Sequence, residues 1–318
     1  MTALARTVRR HVSFNDLLHE RIAKISRAWQ RLRRHKRLRQ AKYPWNAFAH
    51  RVRWLISDSQ SIAEYTDQQL QLGHYRWVFI AGCNNSGTTL LSRILGSHPL
   101  VRALPREGQA LTRAIPKPTD LGVPRLFTKR IELLRWTEDT DPRPALRARY
   151  DWARYFEERP GHLLVKSPEN TLRTRWLQQY FKPSSFVMIV RSPYAVCEGT
   201  RRRSGHSIED AAEHWTQVNH CLLEDMRYLD HCILFTYEDF CERPEEHLPC
   251  LQRFMELFVP FSSDALRPQE VHNIDGGASP IRDFNARSIA RLSAEDIAAI
   301  NRIAGPVMTQ LGYEQIQK

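Results

Sequence analysis

The segment from Trp77 to Leu95 constrains the fold of this chain more than any other part of its sequence. It reads WVFIAGCNNSGTTLLSRIL, which is an apolar run, then a stretch rich in Gly, Asn and Ser, then a helical pattern. Such a run ending at a glycine is typical of a buried strand. A strand that turns through this kind of loop into a helix directs backbone N–H groups at one point, where they bind an anion. Gly82 and Gly87 permit the turn and the close approach of a phosphate.

The loop keeps the spacing of the triphosphate-binding motif G-x-x-x-x-G-K-[ST], but Thr88 stands where that motif has lysine. The motif's lysine reaches the β- and γ-phosphates, so its absence argues against a P-loop kinase or NTPase. Thr88 and Thr89 still offer hydroxyl donors. The loop therefore suits a less highly charged phosphate, and a glycine-rich turn without a ligand is the alternative.

Later parts of the chain repeat the pattern of a short strand followed by a helix. Capping boxes at Ser207 and Ser293, each with an acidic residue three positions later, predict the starts of two long helices. Strands that alternate with helices indicate a mostly parallel sheet covered on both faces. Residues 113–147, rich in Pro and Arg, are expected to be irregular and to form part of an acceptor cleft. The further predicted strands are Leu163–Val165, Phe186–Val190 and Cys232–Phe235.

The net charge of +12 belongs to the N-terminal part of the chain. Residues 1–53 contain 15 basic and 2 acidic residues, whereas the remainder contains 32 and 33. Apolar residues recur every three or four positions from Leu17 to Leu32, which predicts a basic amphipathic helix, and Tyr43–Pro44 is expected to separate it from a second short helix. Two interpretations are open: the helix packs on the body, or it is an arm for polyanions or an anionic membrane surface. We divide the chain into a basic helical N-terminal extension, 1–74, and a folded domain, 75–318.

Cysteine usage and hydropathy indicate a cytoplasmic protein. The six cysteines form no C-x-x-C pair, which favours reduced thiols over a disulfide framework or a zinc site, with one disulfide left open. No apolar run reaches the roughly 18 residues that a transmembrane helix requires. The N-terminus also lacks the continuous apolar core of a signal peptide. The cysteines are Cys83, Cys197, Cys221, Cys232, Cys241 and Cys250.

Five segments in order resemble sulfotransferases that use 3′-phosphoadenosine-5′-phosphosulfate (PAPS). The loop segment SGTTLLSRILGSHP is similar to their 5′-phosphosulfate loop, and the resemblance extends over residues 76–314. It is nearer to the membrane-type and bacterial branch, which includes the tyrosylprotein and carbohydrate enzymes. The resemblance implies a P-loop-like three-layer α/β fold with a mostly parallel central sheet. The other segments are LLVKSPENT, FVMIVRSPYAVCEGTRRR, LFTYEDFCERPEEHL and LSAEDIAAINRIAGPVMTQLGYE.

The resemblance also implies where the donor PAPS binds. Arg191, which ends the predicted strand FVMIV, would bind the 3′-phosphate, and a guanidinium at that position forks well onto a phosphate. Arg203 is expected to make a second phosphate contact, and Tyr237 to lie near the adenosine pocket. The residues expected to bind the donor are Asn85, Ser86, Gly87, Thr88, Thr89, Arg191, Thr200, Arg203, Tyr237 and Ser288.

The resemblance implies two residues for the chemistry, sulfuryl transfer from PAPS to an acceptor hydroxyl or amine. Lys166 would stabilise charge on the departing nucleotide. Glu107 would be the general base, with His98 and Glu169 in reserve. The product is 3′,5′-ADP, and no metal is expected. The acceptor remains open between carbohydrate, peptide tyrosine and a small metabolite, and no specific nucleic acid is expected as a partner.

Two positions depart from the family pattern. Asn85 stands where relatives usually carry Lys or Arg, and Gly199 where they usually carry Ser. Thr200 is a candidate to replace the lost hydroxyl, and Arg93 or an arginine of the extension to replace the lost cation. If the pocket has room, Asn85→Arg is expected to strengthen donor binding. The departures leave open a donor-binding protein without turnover, and the basic extension leaves open a non-catalytic polyanion binder.

Overall fold

The computed structural model describes residues 42–70, 76–156, 161–267, 269–270 and 278–317. The chain divides into two compact units, 1–66 and 67–318, and we describe each by itself. This division falls near the expected domain boundary at residue 74, and the domain assignment itself stays a prediction. The predicted amphipathic helix between residues 17 and 32 lies outside the described residues.

In the first unit, the described backbone forms helix α1, Lys42–Ile56, and most of helix α2, Ser59–Leu70. The expected second helix is therefore present. Tyr43 and Pro44, the expected break, lie in the first turn of α1, and whether they separate it from an earlier helix stays a prediction because the residues before Lys42 lie outside the described ranges. Proline is tolerated there, since the first N–H groups of a helix have no partner within it.

Five parallel strands form the central sheet of the second unit. The strands are β1 Trp77–Ala81, β2 Val101–Ala103, β3 His162–Lys166, β4 Ser184–Val190 and β5 Cys232–Thr236, and a separate antiparallel pair is β6 Gln269–Glu270 and β7 Ala278–Ser279. The order in the central sheet is β2-β3-β1-β4-β5. In the middle of the sheet, Phe79 on β1 lies opposite Val165 on β3 and Phe186 on β4. All four predicted strands are confirmed, whereas the edge strand β2 was not predicted.

Helices connect the strands and cover both faces of the sheet. They are α3 Thr88–Gly96, α4 Ile131–Leu134, α5 Arg143–Ala153, α6 Thr174–Tyr180, α7 Pro193–Ser204, α8 Ile208–Met226, α9 Tyr237–Glu242, α10 Pro244–Phe254, α11 Asn285–Ile289 and α12 Ala294–Gln310. Short 3₁₀ turns occupy Gly108–Ala110, Pro118–Leu121, Phe127–Arg130, Pro168–Leu172 and Ser263–Leu266. No helix in the described ranges is both long enough and apolar enough to cross a membrane.

The two faces of the sheet pack into separate apolar clusters. Trp77 and Phe79 alternate with Val78 and Ile80 along β1, and all four side chains are buried. The first pair packs with aromatic residues, including Phe181, whose ring centroid lies 5.0 Å from that of Trp77. The second pair packs with the apolar face of α3. A strand buried on both faces is typical of a parallel sheet between helical layers, so the predicted three-layer architecture is confirmed.

The two predicted capping boxes differ. At α12, Ser293 accepts a hydrogen bond from the Asp296 N–H at 3.1 Å, and Asp296 accepts one from the Ser293 N–H at 2.9 Å. At α8, Ser207 accepts from the Asp210 N–H at 3.0 Å, but the Asp210 carboxylate pairs with Lys129 at 2.6 Å. Only the box at α12 is therefore complete, because the Asp210 carboxylate at α8 forms a tertiary ion pair with Lys129.

Candidate functional site

Two glycines shape the loop that joins β1 to α3. Gly82 has φ of +152°, and an added Cβ would collide with the carbonyl oxygen of Ile189 on β4. Gly87 precedes α3 in the left-handed region at φ of +96°, where a Cβ would lie 2.8 Å from the Tyr237 ring. The Gly82 N–H donates to the Thr171 hydroxyl at 2.8 Å. The loop therefore packs between β4, α9 and the 3₁₀ turn that follows β3. The close contacts at Gly82 and Gly87 agree with the predicted need for glycine at both positions.

The loop presents polar groups that suit a phosphate. The Ser86 hydroxyl is fully buried and has no hydrogen-bond partner among the described residues. Helix α3 begins two residues later, at Thr88, and no side chain in the described part of the chain caps its first N–H groups. A buried hydroxyl without a partner costs free energy. A phosphate at this helix N-terminus would satisfy both the hydroxyl and the N–H groups, so the residues present fit the phosphosulfate group of PAPS.

Arg191 lies at the C-terminal end of β4, beside the loop. Its Nη1 donates to the carbonyl oxygen of Asn85 at 2.9 Å, and its Nε donates to Asn285 Oδ1 at 2.8 Å. The guanidinium carbon lies 4.1 Å from the centroid of the Tyr237 ring. The Tyr237 hydroxyl donates to the Arg282 carbonyl at 3.0 Å, and burial raises the pKa of that hydroxyl. Tyr237 therefore supports both the loop and the arginine.

Asn285, at the start of α11, also holds Arg191. Asn285 Nδ2 donates to Glu238 Oε1, which also accepts the Ser192 N–H at 2.9 Å. No local sequence pattern indicated Asn285, and Glu238 was noted only as the neighbour of Tyr237. The expected Ser288 lies one helical turn later on α11, but Asn285 is the residue that contacts Arg191.

Helix α7 contributes the expected Thr200 and Arg203 to the loop. Arg203 Nη1 donates to Asn85 Oδ1 at 2.7 Å, and Asn85 Nδ2 donates to the Thr200 hydroxyl at 3.2 Å. Arg203 is thus the cation that contacts the Asn85 side chain, whereas Arg93, the predicted substitute, lines the cleft next to the loop. The arginines of the extension before residue 42 lie outside the described residues.

A cleft of about 600 Å³ lies next to the loop and contains both predicted catalytic residues. Lys166 ends β3, and Glu107 follows the neighbouring strand β2. Because the C-terminal ends of parallel strands meet at one edge of a sheet, the two side chains lie together. Lys166 Nζ donates to Glu107 Oε1 at 2.8 Å, with side-chain exposures of 16% and 38%. The lining is Thr89, Ser92, Arg93, Gly96, Ser97, Ala103, Leu104, Pro105, Arg106, Glu107, Ala110 and Lys166.

The segment 113–147 reaches the loop, where the carbonyl of Arg125 accepts a hydrogen bond from Asn84 Nδ2 at 2.6 Å. The residues that line the cleft beside Lys166 lie outside this segment, and its expected place in an acceptor cleft stays a prediction. The segment contains 3₁₀ turns and the short helix α4, consistent with its predicted irregularity.

The buried carboxyl of Glu169 is linked to Glu107 through the side chain of Gln109. Gln109 Nε2 donates to Glu107 Oε2 at 3.2 Å and to Glu169 Oε2 at 2.8 Å. Glu169 also accepts from the Ser167 hydroxyl. Burial, together with the nearby charge of Glu107, raises the pKa of Glu169. Glu169 is buried, whereas Glu107 lines the cleft, so Glu107 is better placed than Glu169 to meet an acceptor.

The other reserve base, His98, packs beyond the C-terminal end of α3. Its Nδ1 accepts the Leu100 N–H at 3.1 Å, and its Nε2 lies 2.8 Å from the Val259 carbonyl. Its ring packs edge-on against Phe261 at 4.7 Å. Both nitrogens are therefore engaged in the fold, and His98 is less suited than Glu107 to proton transfer. Within the described residues, no three His, Cys, Asp or Glu side chains come together in a group that could hold a metal ion.

Comparison with known proteins identifies the family. The model of the sulfotransferase family matches residues 76–260, and the chain belongs to that family. It is 23% identical to protein-tyrosine sulfotransferase of Drosophila melanogaster over 291 residues, which are 82% of this chain and 55% of the relative. It is 22% identical to protein-tyrosine sulfotransferase 1 of Danio rerio over 264 residues, which are 74% of this chain and 72% of the relative. This chain thus spans about half the length of the Drosophila protein.

A solved structure supports the fold. The sulfotransferase domain of the olefin synthase of Synechococcus PCC 7002 is similar with a TM-score of 0.51 and 21% identity. The match covers 76% of this chain and 97% of that domain. The P-loop-like fold expected from the sequence is therefore confirmed.

Proposed function

We propose that this protein is a PAPS-dependent sulfotransferase that moves a sulfuryl group to an acceptor hydroxyl or amine. The observation that carries the proposal is that the phosphate loop and the Lys166–Glu107 pair meet at one cleft, through Thr89. An anion site beside a cation and a carboxylate suits the transfer of an anionic group to a nucleophile that must lose a proton. Family membership supports the same reaction.

The donor site would be formed by the loop and the end of β4. Residues 85–89 would hold the 5′-phosphosulfate through backbone N–H groups and the hydroxyls of Ser86, Thr88 and Thr89. Arg191 would hold the 3′-phosphate through charge-assisted hydrogen bonds. When bound, PAPS supplies the sulfuryl group. Tyr237 and Asn285 position Arg191 for this contact.

Lys166 and Glu107 would have complementary roles at the cleft. The Lys166 ammonium places a fixed positive charge where negative charge develops on the departing nucleotide, and such a fixed charge stabilises the transition state. Glu107 would accept the proton of the acceptor hydroxyl or amine at Oε1 or Oε2. Their ion pair, 2.8 Å between Lys166 Nζ and Glu107 Oε1, holds the two groups together at the cleft. Gln109, anchored on Glu169, orients the second oxygen.

The acceptor, the cellular location and the partner of the N-terminal extension are further proposals. The two relatives are named for protein tyrosine, so a tyrosine peptide is the first acceptor to test, followed by carbohydrates and small metabolites. A cytoplasmic location and contact of residues 1–53 with a polyanion or anionic surface stay predictions. No observation in the structure favours an NTPase, because Thr88 occupies the position of the motif lysine.

Isothermal titration calorimetry with nucleotides tests the donor site without an acceptor. We expect 3′,5′-ADP to bind more tightly than 5′-AMP, and ATP with Mg²⁺ to bind weakly. Arg191→Ala should remove most of the preference for 3′,5′-ADP, whereas Arg253→Ala, an exposed arginine on α10, should keep it. Equal binding of 3′,5′-ADP and 5′-AMP by the unmodified chain would reject the proposal. Tight binding of ATP with Mg²⁺ alone would favour a kinase or NTPase.

A further inference from the structure

The turn that ends helix α12 places Tyr313 against the body of the second unit. The helix ends in a Schellman motif, in which the Gly312 N–H donates to the Thr309 carbonyl at 3.2 Å and the Tyr313 N–H donates to the Met308 carbonyl at 2.9 Å. Gly312 has φ of +76°, the left-handed conformation that this motif requires. The chain therefore leaves the helix axis at Gly312, and the partly buried Tyr313 packs against the apolar core.

Tyr313 contacts both side chains that hold the peptide group following Arg191. Trp215 Nε1 donates to the Arg191 carbonyl at 2.9 Å, and Glu238 Oε1 accepts the Ser192 N–H at 2.9 Å. This carbonyl and this N–H belong to one planar peptide group, so the two hydrogen bonds fix its orientation. The Tyr313 hydroxyl donates to Glu238 Oε2 at 2.8 Å, and its ring packs edge-on against Trp215 with centroids 6.4 Å apart.

Glu238 also determines how the Arg191 side chain is held. Asn285 Nδ2 donates to Glu238 Oε1, and Asn285 Oδ1 accepts Arg191 Nε at 2.8 Å. A carboxylate can only accept and a guanidinium can only donate, so the Asn285 amide has one orientation that satisfies both. The position of the Glu238 carboxylate therefore sets the amide, and the amide sets the guanidinium.

The Glu238 carboxylate depends on the Tyr313 hydroxyl for its second oxygen. Its hydrogen bonds come from three uncharged donors, the Ser192 N–H, the Asn285 amide and the Tyr313 hydroxyl. Burial and the charge of Glu238 raise the pKa of Tyr313, so the hydroxyl keeps its proton and stays a donor. Without that donor, Oε2 of a partly buried carboxylate loses a strong hydrogen bond, and the carboxylate is free to turn away from the peptide group.

We propose that Tyr313 and Glu238 are positioning residues, which hold the backbone and the guanidinium of Arg191 in the orientation that distinguishes 3′,5′-ADP from 5′-AMP. The inference rests on the proposed function, because both residues act through Arg191. It gives the segment after α12 a role in donor discrimination, although this segment is distant in sequence from the phosphate loop.

Calorimetry on Tyr313→Phe tests the role of the hydroxyl. Phenylalanine keeps the ring against Trp215 and removes only the donor to Glu238. The quantity measured is the preference ratio, the Kd for 5′-AMP divided by the Kd for 3′,5′-ADP. We expect this ratio to fall about 3- to 30-fold, as is typical of changes that act through a network of contacts. The affinity for 5′-AMP should change by less than about twofold.

Variants of Glu238 test the next contact in the network. Glu238→Ala should lower the preference ratio at least as far as Tyr313→Phe does. Adding Tyr313→Phe to Glu238→Ala should lower it by no more than a further factor of about two, because the hydroxyl acts through the carboxylate. Glu238→Gln keeps an oxygen for Ser192 and Asn285, and its amide can donate to the Tyr313 oxygen. This conservative variant should restore the ratio to within about threefold of the unmodified chain.

Tyr194→Phe is the matched control, because it removes a different hydroxyl that holds the same C-terminal segment. The Tyr194 hydroxyl donates to Asn301 and accepts the Ile316 N–H at 2.9 Å. This variant should keep the preference ratio within about twofold, and thermal unfolding should show that each variant is folded.

The outcomes separate this inference from the proposed function. An unmodified chain that binds 3′,5′-ADP and 5′-AMP equally would reject the proposed function itself. A preference that is present and survives Tyr313→Phe would refute the positioning role, and so would an equal fall of the ratio in Tyr194→Phe. If Tyr313→Phe does not fold, equal preference ratios in Glu238→Ala and Glu238→Gln would overturn the inference.

Discussion

Replacement of Glu107 by glutamine isolates its basicity from its shape. Glutamine keeps one oxygen that can accept from Lys166, as Glu107 Oε1 does at 2.8 Å. The ion pair is partly exposed, so its loss should lower the free energy of unfolding by less than about 1 kcal/mol. A general base contributes about 10²- to 10⁴-fold, which corresponds to about 3–5.5 kcal/mol in activation free energy. We therefore expect kcat to fall by that factor while donor affinity stays nearly constant.

The assay measures release of 3′,5′-ADP from PAPS with an acceptor selected from tyrosine peptides, carbohydrates and small amines or phenols. Glu132→Gln, an exposed carboxylate outside the cleft, is the control and should keep the full rate. Lys166→Ala should lower kcat and also weaken PAPS binding, because the cation would contact the donor before reaction. Sulfate transfer by Glu107→Gln at the unmodified rate would refute the assignment of the base, and Glu169→Gln would then be measured.

Three further perturbations test the packing around the site. Arg135→Met leaves the buried Asp225 carboxylate without its bidentate partner, and urea denaturation should show a loss of about 3–5 kcal/mol; a loss under about 1 kcal/mol would contradict this. Burial lowers the pKa of His214 from 6.5 to about 3. As the pH falls, this imidazole is therefore protonated in the unfolded chain before it is protonated in the folded chain. Stability should therefore fall by up to about 1.4 kcal/mol per pH unit as the pH drops from 6.5 towards 3, a slope that His214→Gln should reduce. Gly87→Ala, with its Cβ 2.8 Å from the Tyr237 ring, should cost about 1–3 kcal/mol and weaken 3′,5′-ADP binding, and unchanged values for both would contradict the strain argument.

The parts of the fold that were predicted depend on local patterns. The apolar run of β1, the glycines after it and the helical pattern of α3 are adjacent in sequence, so their order alone predicts a strand, a loop and a helix. Strand β2 was missed because three residues are too few to show a period. The cap at Ser207 was predicted as a complete box, but Lys129, which is distant in sequence, takes the Asp210 carboxylate.

The site was predicted less completely, because its contacts join residues far apart in sequence. Family resemblance suggested Lys166 and Glu107, but their ion pair depends on the adjacency of β2 and β3, which no local pattern shows. Asn285 is 94 positions from Arg191 and lies in no predicted element, so its role had no sequence signal. For Asn85, the sequence revealed a missing cation, and only the packing of α7 shows which arginine stands beside it.

A crystal structure with 3′,5′-ADP would show the loop and the proposed nucleotide-binding arginine, Arg191, in contact with the nucleotide in a single experiment. We expect the 5′-phosphate to accept hydrogen bonds from the N–H groups of residues 85–89 and from the Ser86 hydroxyl, which is without a partner among the described residues. The 3′-phosphate should contact Arg191, on the side of the loop where Asn85 holds it. A nucleotide bound away from this loop, or bound there with its 3′-phosphate directed away from Arg191, would contradict the account.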